Sequence, residues 1–373
     1  GPAIDAQLKF PQGVFVDAAG NLFIYELGTH RIRKVDTQGI ISTVAGAVTA
    51  GYAGDGGPAT DALLDTPGGL FVDAAGNMFI SDGDNHRVRK VSAADGTIST
   101  VAGTGAGEFG GDGGPATEAS LRIPAGLFVD AAGNLYIADA GNMRVRKVDA
   151  AGTISTVAGA GALGFSGDGG LALEAEFDRP QSVFVDGLGN LLIADRGNHR
   201  IRKVDPTGRI TTVAGSGDTG GRGGGYAGDG GPAIDALLKG PQGVVVTSGA
   251  IFIVDRFNNR IRKVAASMTA VLESHDQSLP QSTSLSQNYP NPFNPETTIR
   301  FDLSQSGEID LFVYDLVGQK VATLSQGYRE MGAYALRWDG TDDNQQKLAS
   351  GVYLYRLRLG TGEIQVRKLL LLR

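Results

Sequence analysis

The chain has 373 residues, a formal charge of −7, no cysteine and 57 glycines, with 41% of its residues hydrophobic. The acidic balance gives no electrostatic case for nucleic acid or an anionic membrane as partner; the lack of cysteine excludes disulfides, thiolate metal sites and cysteine nucleophiles; no apolar run approaches the ~18 residues of a membrane span. Glycine at about twice its usual ~7% share, without a collagen period, predicts many short strands joined by tight turns, in a chain long enough for two domains.

Taken in chain order, the first three-quarters of the sequence is one unit written five times. "GPAIDAQLKFPQG" at residue 1 nearly repeats "GPAIDALLKGPQG" at Gly231, so residue 1 falls inside a unit, as in a processed or trimmed chain. The units open at Pro11, Pro67, Pro124, Pro180 and Pro241, at spacings of 56, 57, 56 and 61. A basic box, R-[IV]-R-K-V, follows 19 or 20 residues later, at Arg31, Arg87, Arg144, Arg200 and Arg260. In the third unit four β-type segments stand out, "GLFVD" (Gly126 to Asp130), "NLYIAD" (Asn134 to Asp139), "RVRKVD" (Arg144 to Asp149) and "TISTVAG" (Thr153 to Gly159), rich in β-branched and aromatic residues. The turn "DAAGN" between the first two recurs at Asp17, Asp73 and Asp130 and, as "DGLGN", at Asp186. A four-stranded meander cannot bury both faces alone, so the copies must stack, and closure into a ring leaves few edges. The expected fold is all-β: a β-propeller of five visible four-stranded blades over residues 1–272, with a sixth ahead of residue 1 as the alternative closure, and a small C-terminal immunoglobulin-like β-sandwich.

The segments Asp82 to Val91, Asp139 to Val148 and Asp195 to Val204, with the pairs Asn85-His86 and Asn198-His199, resemble the NHL repeat. The resemblance spans about residues 1–272 and implies a propeller. Some NHL propellers bind RNA through a basic face, and others, the amidating lyases, hold zinc on histidines near the axis. The residues themselves favour structure. The basic boxes hold 15 of the 33 Lys and Arg, on strands beside repeated Asp82, Asp139 and Asp195, and arginine suits carboxylate pairing between strands. His30, His86 and His199 share one position, with Met143 and Asn259 in the other units; that turn lies away from a propeller axis, where three ligands do not converge on one ion. The loop G-D-G-G-[PL]-A, with Asp55, Asp112, Asp168 and Asp229, reads as a structural turn entering one helical turn, since one Asp per loop is too few for calcium. No G-x-S-x-G, H-E-x-x-H or phosphate-loop pattern is present, so no catalytic residues are expected and the chain is read as a non-enzyme without cofactor.

After Val271 the text becomes polar and proline-rich, and residues 273–287 read as a linker. From 288 to 373, "NYPNPFNPETTIRFDL" (Asn288 to Leu303), "VYDLVGQKV" (Val313 to Val321), "WDGTDDNQQKLASGVYLYRL" (Trp338 to Leu357) and "RKLLLLR" (Arg367 to Arg373) resemble the C-terminal sorting domain of type IX secretion, which is similar to the flagellar hook-cap immunoglobulin-like module. That resemblance implies export across the outer membrane of a Gram-negative bacterium, contact with the secretion machinery, and an extracellular or cell-surface location. It also implies that a retained domain of this kind has a further adhesive or assembly use. Asp339, Asp342 and Asp343 are weak candidates for calcium, in a segment whose Asp and Asn content also suits a plain turn.

The expected function is a non-catalytic secreted or surface scaffold that assembles with copies of itself or other surface proteins through propeller and Ig-like contacts. The alternatives are an extracellular carbohydrate- or peptide-binding module, with its ligand site unassigned, and a lyase-type propeller enzyme.

Overall fold

Apolar residues in each repeat recur over five or six positions between turn signals, the span of a buried or half-buried strand, and strands form there. The computed structural model describes residues 1–217, 225–247, 249–264, 282–289, 291–294, 296–329, 331–344 and 346–372. They fall into two units, Gly1–Val264 and Ala265–Arg373. In the first, blade 1 comprises β1 (Pro11–Val16), β2 (Leu22–Glu26), β3 (Arg31–Val35) and β4 (Ile41–Ala45). Blade 2 comprises β5 (Pro67–Val72), β6 (Met78–Asp82), β7 (Arg87–Val91) and β8 (Ile98–Ala102), and blade 3 β9 (Pro124–Val129), β10 (Leu135–Asp139), β11 (Arg144–Val148) and β12 (Ile154–Ala158). Blade 4 comprises β13 (Pro180–Val185), β14 (Leu191–Asp195), β15 (Arg200–Val204) and β16 (Ile210–Ala214); β17 (Pro241–Thr247), β18 (Ala250–Asp255) and β19 (Arg260–Val264) belong to blade 5. Strands within each blade pair antiparallel in sequence order. The segment 267–273, which replaces the fourth strand sequence in the last repeat, lies outside the described residues.

The turn "DAAGN" explains the hairpin that opens each blade. Asp73 Oδ1 accepts the N–H groups of Ala75 and Asn77 while its Oδ2 accepts the Asn77 amide, and Gly76 takes φ +84°, which favours glycine. The same bonds recur at Asp17, Asp130 and Asp186.

Four apolar clusters join the blades, one at each junction from 1/2 to 4/5. The third strand of one blade supplies Ile32, Val88, Val145 or Ile201, and the first strand of the next supplies Leu70, Leu127, Val183 or Val244; all eight are buried. Inner strands approach closely because glycine leaves room: a Cβ at Gly69 would sit 2.3 Å from the Ala125 carbonyl oxygen. The G-D-G-G-[PL]-A loop leads into a single 3₁₀ turn such as Ala59–Asp61 or Ala116–Glu118. Its proline occupies the cap, one residue before the first helical position, with extended ψ of 133° at Pro58.

The second unit is a sandwich. A three-stranded sheet of β20 (Ser284–Leu285), β21 (Thr297–Leu303) and β24 (Gly332–Trp338) faces a four-stranded sheet of β22 (Gly307–Tyr314), β23 (Lys320–Arg329), β25 (Gly351–Leu359) and β26 (Ile364–Leu371), ordered β23-β22-β25-β26. One core fills the space between them, with Trp338, Phe301, Leu311 and Tyr355 fully buried. Residues 284–285, read as linker in the sequence, form β20, because Ser284 and Leu285 pair with Asp302 and Phe301 of β21 and the Leu285 side chain enters the core. The Tyr355 hydroxyl donates to the Ser286 carbonyl and accepts the Asn288 N–H, both at 2.7 Å. Tyr355→Phe leaves both backbone groups without that partner and is expected to cost about 1–3 kcal/mol in a urea melt.

Candidate functional site

In blades 2 to 5 the aspartates that the sequence singled out gather around one guanidinium per blade. Asp139 at the end of β10 lies opposite Arg144 in strand register, but its ion pair is with the next arginine of the box: Arg146 Nη1 sits 3.4 Å from Asp139 Oδ2. The same guanidinium donates through Nη2 to Asp112 Oδ1 of the G-D-G-G loop at 2.6 Å, and through Nη1 and Nη2 to the Ser120 and Gly110 carbonyls. Arg89 with Asp82 and Asp55, Arg202 with Asp195 and Asp168, and Arg262 with Asp255 and Asp229 repeat the pattern. Arg89, Arg146 and Arg202 are fully buried. Three of the loop aspartates also reach the outer strand: Thr100, Thr156 and Thr212 donate to Asp55, Asp112 and Asp168.

In blades 2 to 5 the first arginine of the box has another partner, whereas among the described residues Arg31 of blade 1 has only Glu26, at 3.9 Å. Arg87, Arg144, Arg200 and Arg260 lie 3.6–3.8 Å from the ring centroids of Tyr52, Phe109, Phe165 and Tyr226, and Arg144 donates to the Asn142 and Ala160 carbonyls. Those rings stand three residues before the loop aspartate, in the pattern [YF]-x-G-D-G-G; the sequence reading missed the aromatic, although its fixed spacing was the signal. A ring stacked on arginine is worth about 0.5–2 kcal/mol depending on exposure. The asparagine of the Asn-His pair completes the clamp, Asn85 donating to the Gly51 carbonyl and to Asp82.

Two carboxyls on one arginine are pushed in opposite directions. Burial drives Asp82, Asp139 and Asp195 up to about 6 from 3.8, against the bonds they accept. At Asp55 partial burial is outweighed by hydrogen bonds from Thr100, Tyr52 and Arg89 and by the Arg89 charge, and its carboxyl is held below the ordinary value. A folded-state value raised above the unfolded one means that the stability tied to Asp195 is fully present below about 3.8 and is lost as pH rises through about 6. Asp195→Asn is therefore expected to trail the parent by more at pH 5 than at pH 7.5, which urea midpoints at the two pH values would show.

The histidines bind backbone. Nδ1 of His30, His86 and His199 accepts the N–H of Thr66, Ile123 and Gly240, the residue before the next blade's first proline. Desolvation pushes His199 below its ordinary value, which keeps that lone pair free of a proton. Among the described residues no group of three or more His, Asp or Glu side chains is arranged to hold a metal ion. The calcium candidates are engaged locally: Asp342 accepts the N–H groups of Asn344 and Gln346, Asp339 accepts the N–H and the hydroxyl of Thr341, and Asp343 pairs with Thr323 and with Lys320 at 3.4 Å.

A concavity that the sequence did not reveal opens at the propeller axis and runs between blades 5 and 1 past Val14 and Ile261, with a volume of about 460 Å³. Phe15, Phe71, Phe128 and Phe184, one from the first strand of each of blades 1 to 4, form an arc of edge-to-face and tilted rings with centroids 5.1, 5.2 and 4.8 Å apart. Gln12, Gln181 and Gln242 add carboxamides, and Gln242 Nε2 donates to Gln12 Oε1 at 3.4 Å. None of the described lining residues is charged, and burial pushes the Tyr25 phenol up to about 12. Such a wall can hold an uncharged ligand by stacking and amide bonds, with the Ser182 hydroxyl as a further polar group.

The NHL repeat profile matches residues 177–204, that of the Teneurin NHL domain residues 105–166, and that of the FlgD Ig-like domain residues 289–363. The chain carries NHL repeats followed by an FlgD Ig-like domain. The NHL unit is similar to "Protein SUPPRESSOR OF QUENCHING 1, chloroplastic" of Arabidopsis thaliana, at 29% identity over 274 residues, covering 70% of this chain and 25% of that protein. It is also similar to human Teneurin-4, at 32% identity over 242 residues, covering 55% of this chain and 8% of that protein. The chain thus spans a quarter or less of the length of these relatives. A solved structure of PorZ from Porphyromonas gingivalis, described as an essential bacterial surface component of the type-IX secretion system, aligns with a TM-score of 0.42 and 15% identity, covering 97% of this chain and 45% of that one. No helix among the described residues is long and apolar enough to cross a membrane.

Proposed function

We propose that the chain is a non-catalytic propeller scaffold at the outer surface of a Gram-negative cell, and that its Ig-like domain is the type IX sorting signal that carries it there. One observation carries the reading: the repeated arginines, aspartates and histidines, the side chains a catalyst would use, tie loops to blades and one blade to the next. The loops that remain exposed are near copies of one another, which suits repeated contact with other surface proteins or further copies of the chain more than one shaped ligand.

Sedimentation and negative-stain microscopy across a concentration series test assembly, multi-copy particles being expected and monodisperse monomers contradicting it. Residues 282–373 fused to a periplasmic reporter, in a bacterium with the secretion system, are expected to bring the reporter to the surface. The axial wall of phenylalanine and glutamine favours a second reading, capture of an uncharged sugar or peptide; a glycan array yielding one saturable ligand, lost in Gln181→Ala, would establish it.

A further inference from the structure

Independently of the scaffold reading, the two ends of the blade series carry unfinished interfaces. Val14 of β1 holds the position of Leu70, Leu127, Val183 and Val244, which are buried against the preceding blade, yet Val14 is 65% exposed. Ile261 of β19 holds the position of Ile32, Val88, Val145 and Ile201, each 0% exposed, and is itself 65% exposed. Leu8, the counterpart of fully buried Leu64 and Leu121, is 40% exposed. The backbone shows the same break: His30, His86, Met143 and His199 each reach a backbone N–H of the following blade, but among the described residues Asn259 makes no such bond to Phe10.

The polar groups of blade 1 specify what belongs there. Buried Thr29 Oγ1, Arg31 Nε and Arg33 Nε have no hydrogen-bond partner. They occupy the positions of Asn85, Arg87 and Arg89, which in blade 2 are met by the Gly51 carbonyl, the Tyr52 ring and the Asp55 carboxylate of the incoming loop. Glu26 partly serves Arg33, at 3.5 Å, in the manner of Asp82, but among the described residues no second carboxylate pairs with Arg33 and no ring stacks on Arg31.

We infer that the seam between blades 5 and 1 is the seat of one further repeat unit of this same kind, whose [YF]-x-G-D-G-G loop enters at Gly1. A second copy of the chain fits poorly, since its loops at Asp55, Asp112, Asp168 and Asp229 already hold its own arginines. A unit joined ahead of Gly1 places its aspartate and aromatic two and five residues before it, as Asp55 and Tyr52 fall two and five before Gly57. Its outer face would cover Val14 and Leu8, and its first strand Ile261.

The test uses thiol labelling, because the chain has no native cysteine. In the full chain Val14→Cys and Ile261→Cys are expected to react quickly with a bulky maleimide, and Val145→Cys slowly. With a copy of residues 58–113 joined ahead of Gly1, labelling at 14 and 261 is expected to slow by about tenfold or more, as burial within a cooperatively folded interface requires. Replacing the aspartate of the added loop by asparagine should restore part of the rate. Slow labelling at both sites in the unextended chain at any dilution would overturn the inference by showing a ring already closed. Protection that grows with concentration would overturn it in favour of a second copy, and unchanged labelling in the extended chain would overturn it outright.

Discussion

Arg146→Met is expected to lower the unfolding free energy by about 3–5 kcal/mol, the range for removing one partner of a buried ion pair. Methionine matches the aliphatic stem of the arginine, so the loss comes from its charge and hydrogen bonds more than from volume. Four acceptors lose a donor at once: Asp139, Asp112, Ser120 and Gly110. Asp139 suffers most, because it is fully buried and keeps only the Asn142 amide and the Arg122 N–H. Acidification from pH 7.5 to 5 should narrow the deficit, since a carboxyl already pushed up by burial is then protonated. Arg209→Met, at an exposed position, is the control and should stay within about 0.5 kcal/mol. Urea denaturation of the two variants would supply both values.

A larger contrast is expected between two residues at the same position of the repeat. Val145→Asp places an unpaired charge in the junction between blades 3 and 4 and is expected to cost more than about 4 kcal/mol. Ile261→Asp makes the same kind of change in the last blade, where the side chain is 65% exposed, and is expected to cost less than about 0.5 kcal/mol. Thermal melts of the pair measure whether the seam is open in solution, because a closed ring would make the two substitutions comparably damaging.

Strand positions, turns and the number of visible blades were legible in the sequence because each depends on local rules: alternation in "GLFVD", the Asp-to-Asn bonds of "DAAGN", and a repeat period that no single residue can disguise. Arginine pairing with Asp139 was legible as chemistry but not as geometry. Register sets Asp139 opposite Arg144, whereas the ion pair runs diagonally to Arg146, a choice that follows from where the loop ring of Phe109 stacks. That ring was visible in the text and was passed over, since its partner lies 35 residues downstream. The arc of Phe15, Phe71, Phe128 and Phe184 was hidden for a different reason: each reads as an ordinary strand residue, and only convergence of four strands on one axis brings the rings together. The seam is likewise a property of the ends, invisible while every copy is read as equivalent.

The central claim is that the repeated charges fasten loops to blades. A double-mutant cycle on Arg202 and Asp168, whose side chains meet at 2.8 Å, tests it most directly, using Arg202→Met, Asp168→Asn and the double variant. The account predicts a coupling of about 0.5–3 kcal/mol, the range for residues that share one hydrogen-bond and salt-bridge network. Two losses that simply add, to within about 0.3 kcal/mol, would contradict it.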